Sequence, residues 1–252
     1  MKDSVKILNI DVDNITMNEL LTSFDSGFLV TPNVDHLMQL QKNRAFYDVY
    51  KQADYVTVDS QIVYWATRFL GHPVKEKISG SDIFPAYCNF HKNNPDVRMF
   101  LLGGRTGVAT QAANNTNVRV GRKIVIGAHS PSMNFVNDTD ECGRVIEQIN
   151  SSGANVLVVG LGAPKQELWI SEYRKQMPNI HSFMALGATL DFEAGTLSRA
   201  PQWVSRFGLE WLYRLFQDPG RLWKRYLVRD VPFFYLLLKQ KLGFYKSPFY
   251  GG

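Results

Sequence analysis

The chain has 252 residues, 45% of them apolar, and a formal net charge of +5; that is enough for one large α/β domain or a domain with an appendage, and it excludes a disordered chain. Two cysteines, Cys88 and Cys142, make neither a metal spacing nor a disulfide framework, which points to a reducing cytosol. The start MKDSVKILNIDVD is too charged for a signal peptide, and the longest apolar run near the C-terminus, Val231–Leu238, falls far short of the roughly 20 residues a spanning helix needs, so a soluble or peripheral protein is expected.

Short β-branched or apolar runs alternate with segments of helix length. Strands are expected at Phe28–Thr31, Tyr55–Val58, Met99–Leu102, Lys123–Ile126, Val156–Gly160 and Phe183–Leu186. Helices are expected at Asp35–Tyr50, Gln61–Leu70, Ser81–Lys92, Glu141–Ser151 and Pro164–Gln176, with Pro164 suited to a first helical turn. Strand, loop and helix repeated in this way predict βαβ units around a mainly parallel sheet, with ligands beyond the carboxyl ends of its strands. The pattern changes near Arg199. Helical spacing over Gln202–Gln217, a break at Asp218-Pro219-Gly220, then Arg221–Arg229 and Pro232–Leu242 predict a helical appendage over 199–252 on a domain spanning 1–198. This segment carries ten Lys/Arg against three acids and 14 of the 32 aromatic residues. A basic and aromatic stretch suits an anionic membrane surface or a polyphosphate. With no nucleic-acid motif and the charge set among Trp, Phe and Leu, nucleic acid is not the expected partner.

Four loops that follow expected strands hold the chemistry-bearing residues. Thr31-Pro32-Asn33-Val34-Asp35-His36 crowds hydroxyl, amide and carboxylate groups at one strand end, where Asn33 or Asp35 also suits a helix N-cap. Asp59, in Thr57-Val58-Asp59-Ser60-Gln61, closes a strand and opens a helix; it is either an N-cap or a general base at the sheet mouth. Gly103-Gly104 lets backbone approach a phosphate. Gly160-Leu161-Gly162 makes half a dinucleotide fingerprint, but Pro164 and Lys165 stand in place of the third glycine, so a mononucleotide diphosphate fits better than NAD. Asp11-Val12-Asp13 reads as a surface turn, the five histidines show no ligand spacing, and no metal site is expected.

Taken in order, TPNVDHLM (Thr31–Met38), ADYVTVDSQ (Ala53–Gln61), KISGSD (Lys77–Asp82), FLLGG (Phe100–Gly104), GLGAPKQELWI (Gly160–Ile170), GATLDFEAG (Gly187–Gly195), RAPQW (Arg199–Trp203) and GLEWLYRL with PGRLWKRYL (Gly208–Leu227) resemble the WecG/TagA/CpsF family of bacterial glycosyltransferases. The resemblance implies a Rossmann-like fold with a membrane-binding C-terminal appendage. It also implies an inverting transfer without a metal or other cofactor, from a UDP-sugar donor to an acceptor sugar on a polyprenyl pyrophosphate at the inner face of the cytoplasmic membrane. The product would feed teichoic acid, common antigen or exopolysaccharide synthesis, with N-acetylmannosamine among the candidate sugars.

The resemblance makes Asp59 the catalytic base, with Thr31, Asn33 and Gln166 in the substrate pocket and Asp191 at the donor nucleotide. Two positions depart from the family pattern: Ser60 stands where glycine usually follows the aspartate, and Lys77 where arginine is usual, which keeps charge but loses a bidentate grip on phosphate. For the leaving diphosphate the residues offer Gly103, Gly104, Gly162 and Lys165. For the lipid pyrophosphate they offer Arg214, Arg221 and Arg225, with Trp223 and Tyr226 at headgroup depth. An exposed apolar tail also favours homo-oligomers away from a membrane. A Rossmann-type NAD-dependent oxidoreductase and an inactive peripheral membrane scaffold are the competing readings.

Overall fold

The computed structural model describes residues 3–201, residue 204 and residues 207–249, apart from the Arg221 side chain. The chain opens with an antiparallel hairpin, β1 (Ser4–Ile7) and β2 (Ile10–Asp13), in register Ser4 to Asp13. Val5, Ile7, Ile10 and Val12 alternate inward, as a pleated strand requires. The hairpin corrects the turn expected at Asp11-Val12-Asp13: both aspartates are strand residues, and Asp13 Oδ2 accepts from the Val56 N–H at 2.8 Å.

Six parallel strands form the main sheet: β3 (Gly27–Val30), β4 (Tyr55–Val56), β5 (Met99–Gly103), β6 (Val125–His129), β7 (Val156–Gly160) and β8 (Ser182–Ala185), in spatial order β4-β3-β8-β7-β5-β6. The central strands are buried on both faces and are therefore continuous apolar runs. Their residues divide by period two. Leu157 and Val159 join one core layer, and Val156 and Val158 the other. The second layer packs helices α1 (Met17–Ser23), α5 (Gly80–Phe90), α6 (Val108–Val120) and α9 (Thr189–Ala194). The first packs α2 (Val34–Gln39), α3 (Arg44–Tyr50), α4 (Gln61–Leu70), α7 (Thr139–Ser152) and α8 (Lys165–Tyr173). The architecture is the Rossmann-like α/β fold expected.

The helix expected over Asp35–Tyr50 is two helices, because Asn43 caps a new start by accepting from the Phe46 N–H at 3.1 Å. The one expected over Gln202–Gln217 is helical at Val204, turns at Phe207-Gly208 and resumes as α10 (Glu210–Gln217); its residues 202, 203, 205 and 206 lie outside the described set. The turn α11 (Pro219–Lys224), a π-helical turn at Arg225–Arg229 and α12 (Pro232–Lys241) follow. Phe233 and Leu237 of α12 are part of the first core layer. Gln240 ties the helix to the hairpin, accepting from the Leu8 N–H at 2.7 Å and donating to the Lys6 carbonyl at 3.0 Å. The helices before it, α10 and α11, stand over the carboxyl ends of β3, β4, β7 and β8.

Candidate active site

Two cavities lie side by side beneath α10 and α11. One, of about 200 Å³, is polar and is lined from the strand ends by Thr31, His36, Gly162, Gln166, Gly187 and Thr189. The other, of about 290 Å³, is lined largely by apolar side chains, among them Val34, Ile62, Trp211, Leu227, Val231 and Phe234. Asn33, Asp59, Arg214, Arg225 and Tyr226 line both and so form the partition.

Local sequence explains why these groups face the cavities. Ser60, and not Asp59, caps α4: its Oγ accepts from the Val63 N–H at 3.1 Å. The capping role open to Asp59 in the sequence is thereby taken by its neighbour. Ser60 is extended (φ −111°), a conformation that does not need the glycine usual there. Asp59 is left with one backbone tether, Oδ1 accepting from the Gly80 N–H at 3.0 Å. Burial raises its pKa above the ordinary carboxylate range; Glu210 adds to the rise, while Arg214, the Gly80 N–H and Lys77 oppose it. Asn33 does cap α2, accepting from the His36 N–H at 3.1 Å, and the same Oδ1 accepts from Arg225 Nη2 at 3.2 Å. Arg225 lies 3.4 Å from Asp35 Oδ2, and Arg214 pairs with Glu210 at 2.6 Å. Glu210 and Arg214 are i,i+4 neighbours on α10.

Gln166 is buried and its amide is fully directed. Oε1 accepts from the Gly162 N–H (3.2 Å) and the Gly187 N–H (3.0 Å), and Nε2 donates to Glu167 Oε1 at 2.8 Å. It clasps the loops after β7 and β8 into one wall of the polar cavity. Gly162 lines that wall, but its N–H is committed to Gln166.

The structure assigns other work to several residues expected at the substrate. Gly103 and Gly104 line neither cavity flanking Asp59. A Cβ on Gly103 (φ +137°) would sit 2.4 Å from the Gly160 carbonyl oxygen, and one on Gly104 (φ +70°) 2.6 Å from Val108 Cγ1. These glycines permit close packing of β5, β7 and α6. Lys165 is exposed at the start of α8 and lines neither cavity. Asp191 uses its carbonyl oxygen and Oδ1 to hold Thr196 in the loop after α9. Lys77 lies one cavity away, in a cleft of about 830 Å³ with Ser79, Asp82 and Arg199. Of the three arginines expected at the lipid pyrophosphate, Arg214 and Arg225 stand in the partition, and the Arg221 side chain lies outside the described set. Tyr226 turns into the partition, while Trp223 stays 45% exposed.

Three residues of this region carried no site expectation. His36 lines the polar cavity and is held neutral: burial, with Arg225 nearby, lowers its pKa to about 3. Its Nδ1 pairs with the Tyr50 hydroxyl at 2.7 Å. Glu167, wholly buried behind Gln166, is raised by burial to about 7. Asp230, at the rim of the apolar cavity, is raised to about 7 by burial and by the neighbouring Asp35. The signal for His36 was its place one turn after Asn33; for the two acids there was none short of tertiary contact.

The sequence profile of the Glycosyl transferase WecG/TagA/CpsF family matches residues 5–247. The chain belongs to this family. It is 31% identical over 204 residues to an N-acetylglucosaminyldiphosphoundecaprenol N-acetyl-beta-D-mannosaminyltransferase of Bacillus spizizenii, covering 80% of this chain and 75% of that one. The protein of the same name from Bacillus subtilis is 30% identical, with 82% and 78% covered. The one from Staphylococcus aureus is 28% identical over 249 residues, with 94% and 93% covered. This protein is therefore a glycosyltransferase. The dinucleotide reading of Gly160-Leu161-Gly162 gives way, in keeping with the commitment of the Gly162 N–H to Gln166.

Proposed function

We propose that this enzyme moves N-acetylmannosamine, or a related hexose, from a UDP-sugar to an acceptor sugar carried on a polyprenyl pyrophosphate, with inversion, in the synthesis of teichoic acid or another cell-surface polysaccharide. The observation that carries the reading is the position of Asp59: its carboxylate stands with two arginines in the wall between a polar and an apolar cavity. The donor occupies the polar cavity, against Thr31, Asn33 and the Gln166-clasped loops. The acceptor approaches from the apolar side. Asp59 takes the acceptor hydroxyl proton as the oxygen attacks the anomeric carbon. The bond from that carbon to the UDP oxygen breaks, and its electron pair leaves with UDP. Arg214 and Arg225 meet the negative charge of the pyrophosphate groups on either side of the partition. A base with a raised pKa accepts the proton more readily than an ordinary aspartate.

The activity for which the relatives are named supports the donor sugar and the acceptor's lipid. Among the described residues no helix is long and apolar enough to cross a membrane. The basic C-terminal helices expose Phe216, Trp223, Leu227 and Val228, which supports peripheral attachment at the inner face of the cytoplasmic membrane. A panel of UDP-sugars offered with a GlcNAc-pyrophosphoryl-lipid acceptor tests the assignment. UDP-N-acetylmannosamine should be turned over best, and Asp59→Asn should slow transfer by roughly 10²- to 10⁴-fold with donor binding retained. Full turnover by the variant would remove Asp59 from the role of base.

A further inference from the structure

The apolar cavity has a shape and a setting that the transfer of a sugar does not by itself require. At its inner end stand Asp59, Arg214 and Arg225. At its outer end Leu227, Val231 and Phe234 line it while remaining 55%, 53% and 57% exposed. It is therefore a passage from the partition to an apolar surface. Between these ends the walls are Val34 and Ile62 from the body and Trp211 from α10. Its volume is about 290 Å³.

We propose that this cavity is a prenyl subsite, which takes the isoprene units next to the acceptor's pyrophosphate out of the bilayer and seats them between α4 and the C-terminal helices. The inference rests on the acceptor reading above and adds to it that the protein, as well as the membrane, binds the hydrocarbon. Continuity with the partition selects this occupant: the passage joins Asp59, the proposed base, to an exposed apolar surface. A polyprenyl pyrophosphate joins a dianionic group directly to a branched hydrocarbon, and its pyrophosphate would take Arg214 and Arg225 from their present partners Glu210 and Asp35. Burying the chain beside the arginines fixes the pyrophosphate relative to Asp59, so the acceptor hydroxyl is delivered in one register.

The test is binding and turnover in lipid-free, detergent-free buffer, where partition into a membrane plays no part. By calorimetry, geranyl pyrophosphate should bind roughly ten- to a hundred-fold more tightly than methyl pyrophosphate, with a negative heat-capacity change. The gain should level off once the chain outruns the cavity. Ile62→Asp should remove the gain for geranyl pyrophosphate while leaving methyl pyrophosphate affinity and the thermal transition in place; Leu227→Asp, at an exposed position, is the variant that keeps the test sound if Ile62→Asp fails to fold. In turnover, the KM for a GlcNAc-pyrophosphoryl acceptor should fall in the same order with chain length while the donor KM stays constant. Equal affinity for methyl and geranyl pyrophosphate would overturn the subsite, as would equally tight binding of dodecyl phosphate, which would make the cavity a general acyl pocket. A chain-length gain in binding with no transfer to any acceptor would uphold the subsite and instead overturn the acceptor reading.

Discussion

Asp59 and Glu167 are both carboxylates whose pKa burial raises, yet only Asp59 reaches a cavity. As the proposed base, Asp59 works only when ionised, so activity should fall as pH falls through its folded-state pKa, and a pH–rate profile of Asp59→Glu should move that limb. Burial shifts Glu167 toward its neutral form. Its folded-state pKa of about 7 lies above the ordinary 4.5, so the stability linked to its protonation is full below the unfolded value and is lost as pH rises through about 7. Glu167→Gln should therefore flatten the stability profile and unfold later than the parent above pH 7, by on the order of 3 kcal/mol in urea titrations. An unchanged pH dependence would show that Glu167 is ionised in the fold. Of these two acids only Asp59 was legible in the sequence. Its place between a β-rich run and a helix start marks a strand end, whereas the burial of Glu167 depends on α8 lying against the sheet.

Elements declare themselves where local chemistry is decisive. The helix over Gln61–Leu70 was legible to the residue because Ser60 precedes it and Gly71, at φ +94°, ends it. The helix α1 carries an equally clear signature, Thr16-Met17-Asn18-Glu19, a capping box that the structure shows formed in both directions. The helix α6 was obscured for a physical reason: its run of Asn114, Asn115, Thr116 and Asn117 has weak helix propensity, and packing of Ala109, Ala112 and Ala113 supplies what propensity lacks. The glycine pair at the end of β5 was legible as a special turn, but its purpose was not. Gly103→Ala should destabilise the protein by roughly 3 kcal/mol or more, since a methyl group there meets the Gly160 carbonyl and the backbone is left-handed. The expected reading is a fall of several degrees in melting temperature, with the donor KM unchanged in the folded variant; a changed donor KM at unchanged stability would return the pair to the phosphate.

At the scale of the whole molecule the C-terminal segment does two different things. α12 contributes Phe233 and Leu237 to the core, while α10, α11 and the turn after them cover the site and expose apolar side chains. Deleting the segment would strip the core as well as the roof, so the membrane role is better tested at the surface. Phe216→Ser, Val228→Ser and Phe244→Ser together should reduce sedimentation with anionic vesicles several-fold with no change in the thermal transition. Raising the salt from 0.1 to 0.5 M should release the unaltered protein. Vesicle binding that survives both would place the attachment elsewhere. By itself the sequence determined the alternation of strand and helix, the parallel sheet, the basic aromatic tail and the loop that carries Asp59, because each is written in local periodicity, capping and composition. Tertiary structure alone decided that Asp59 stands in a partition with Arg214 and Arg225, residues more than 150 positions away. It also decided that Gly103 and Lys165 stand apart from that partition. Packing across the sheet brings distant strand ends under one roof, and no local pattern encodes which of them meet.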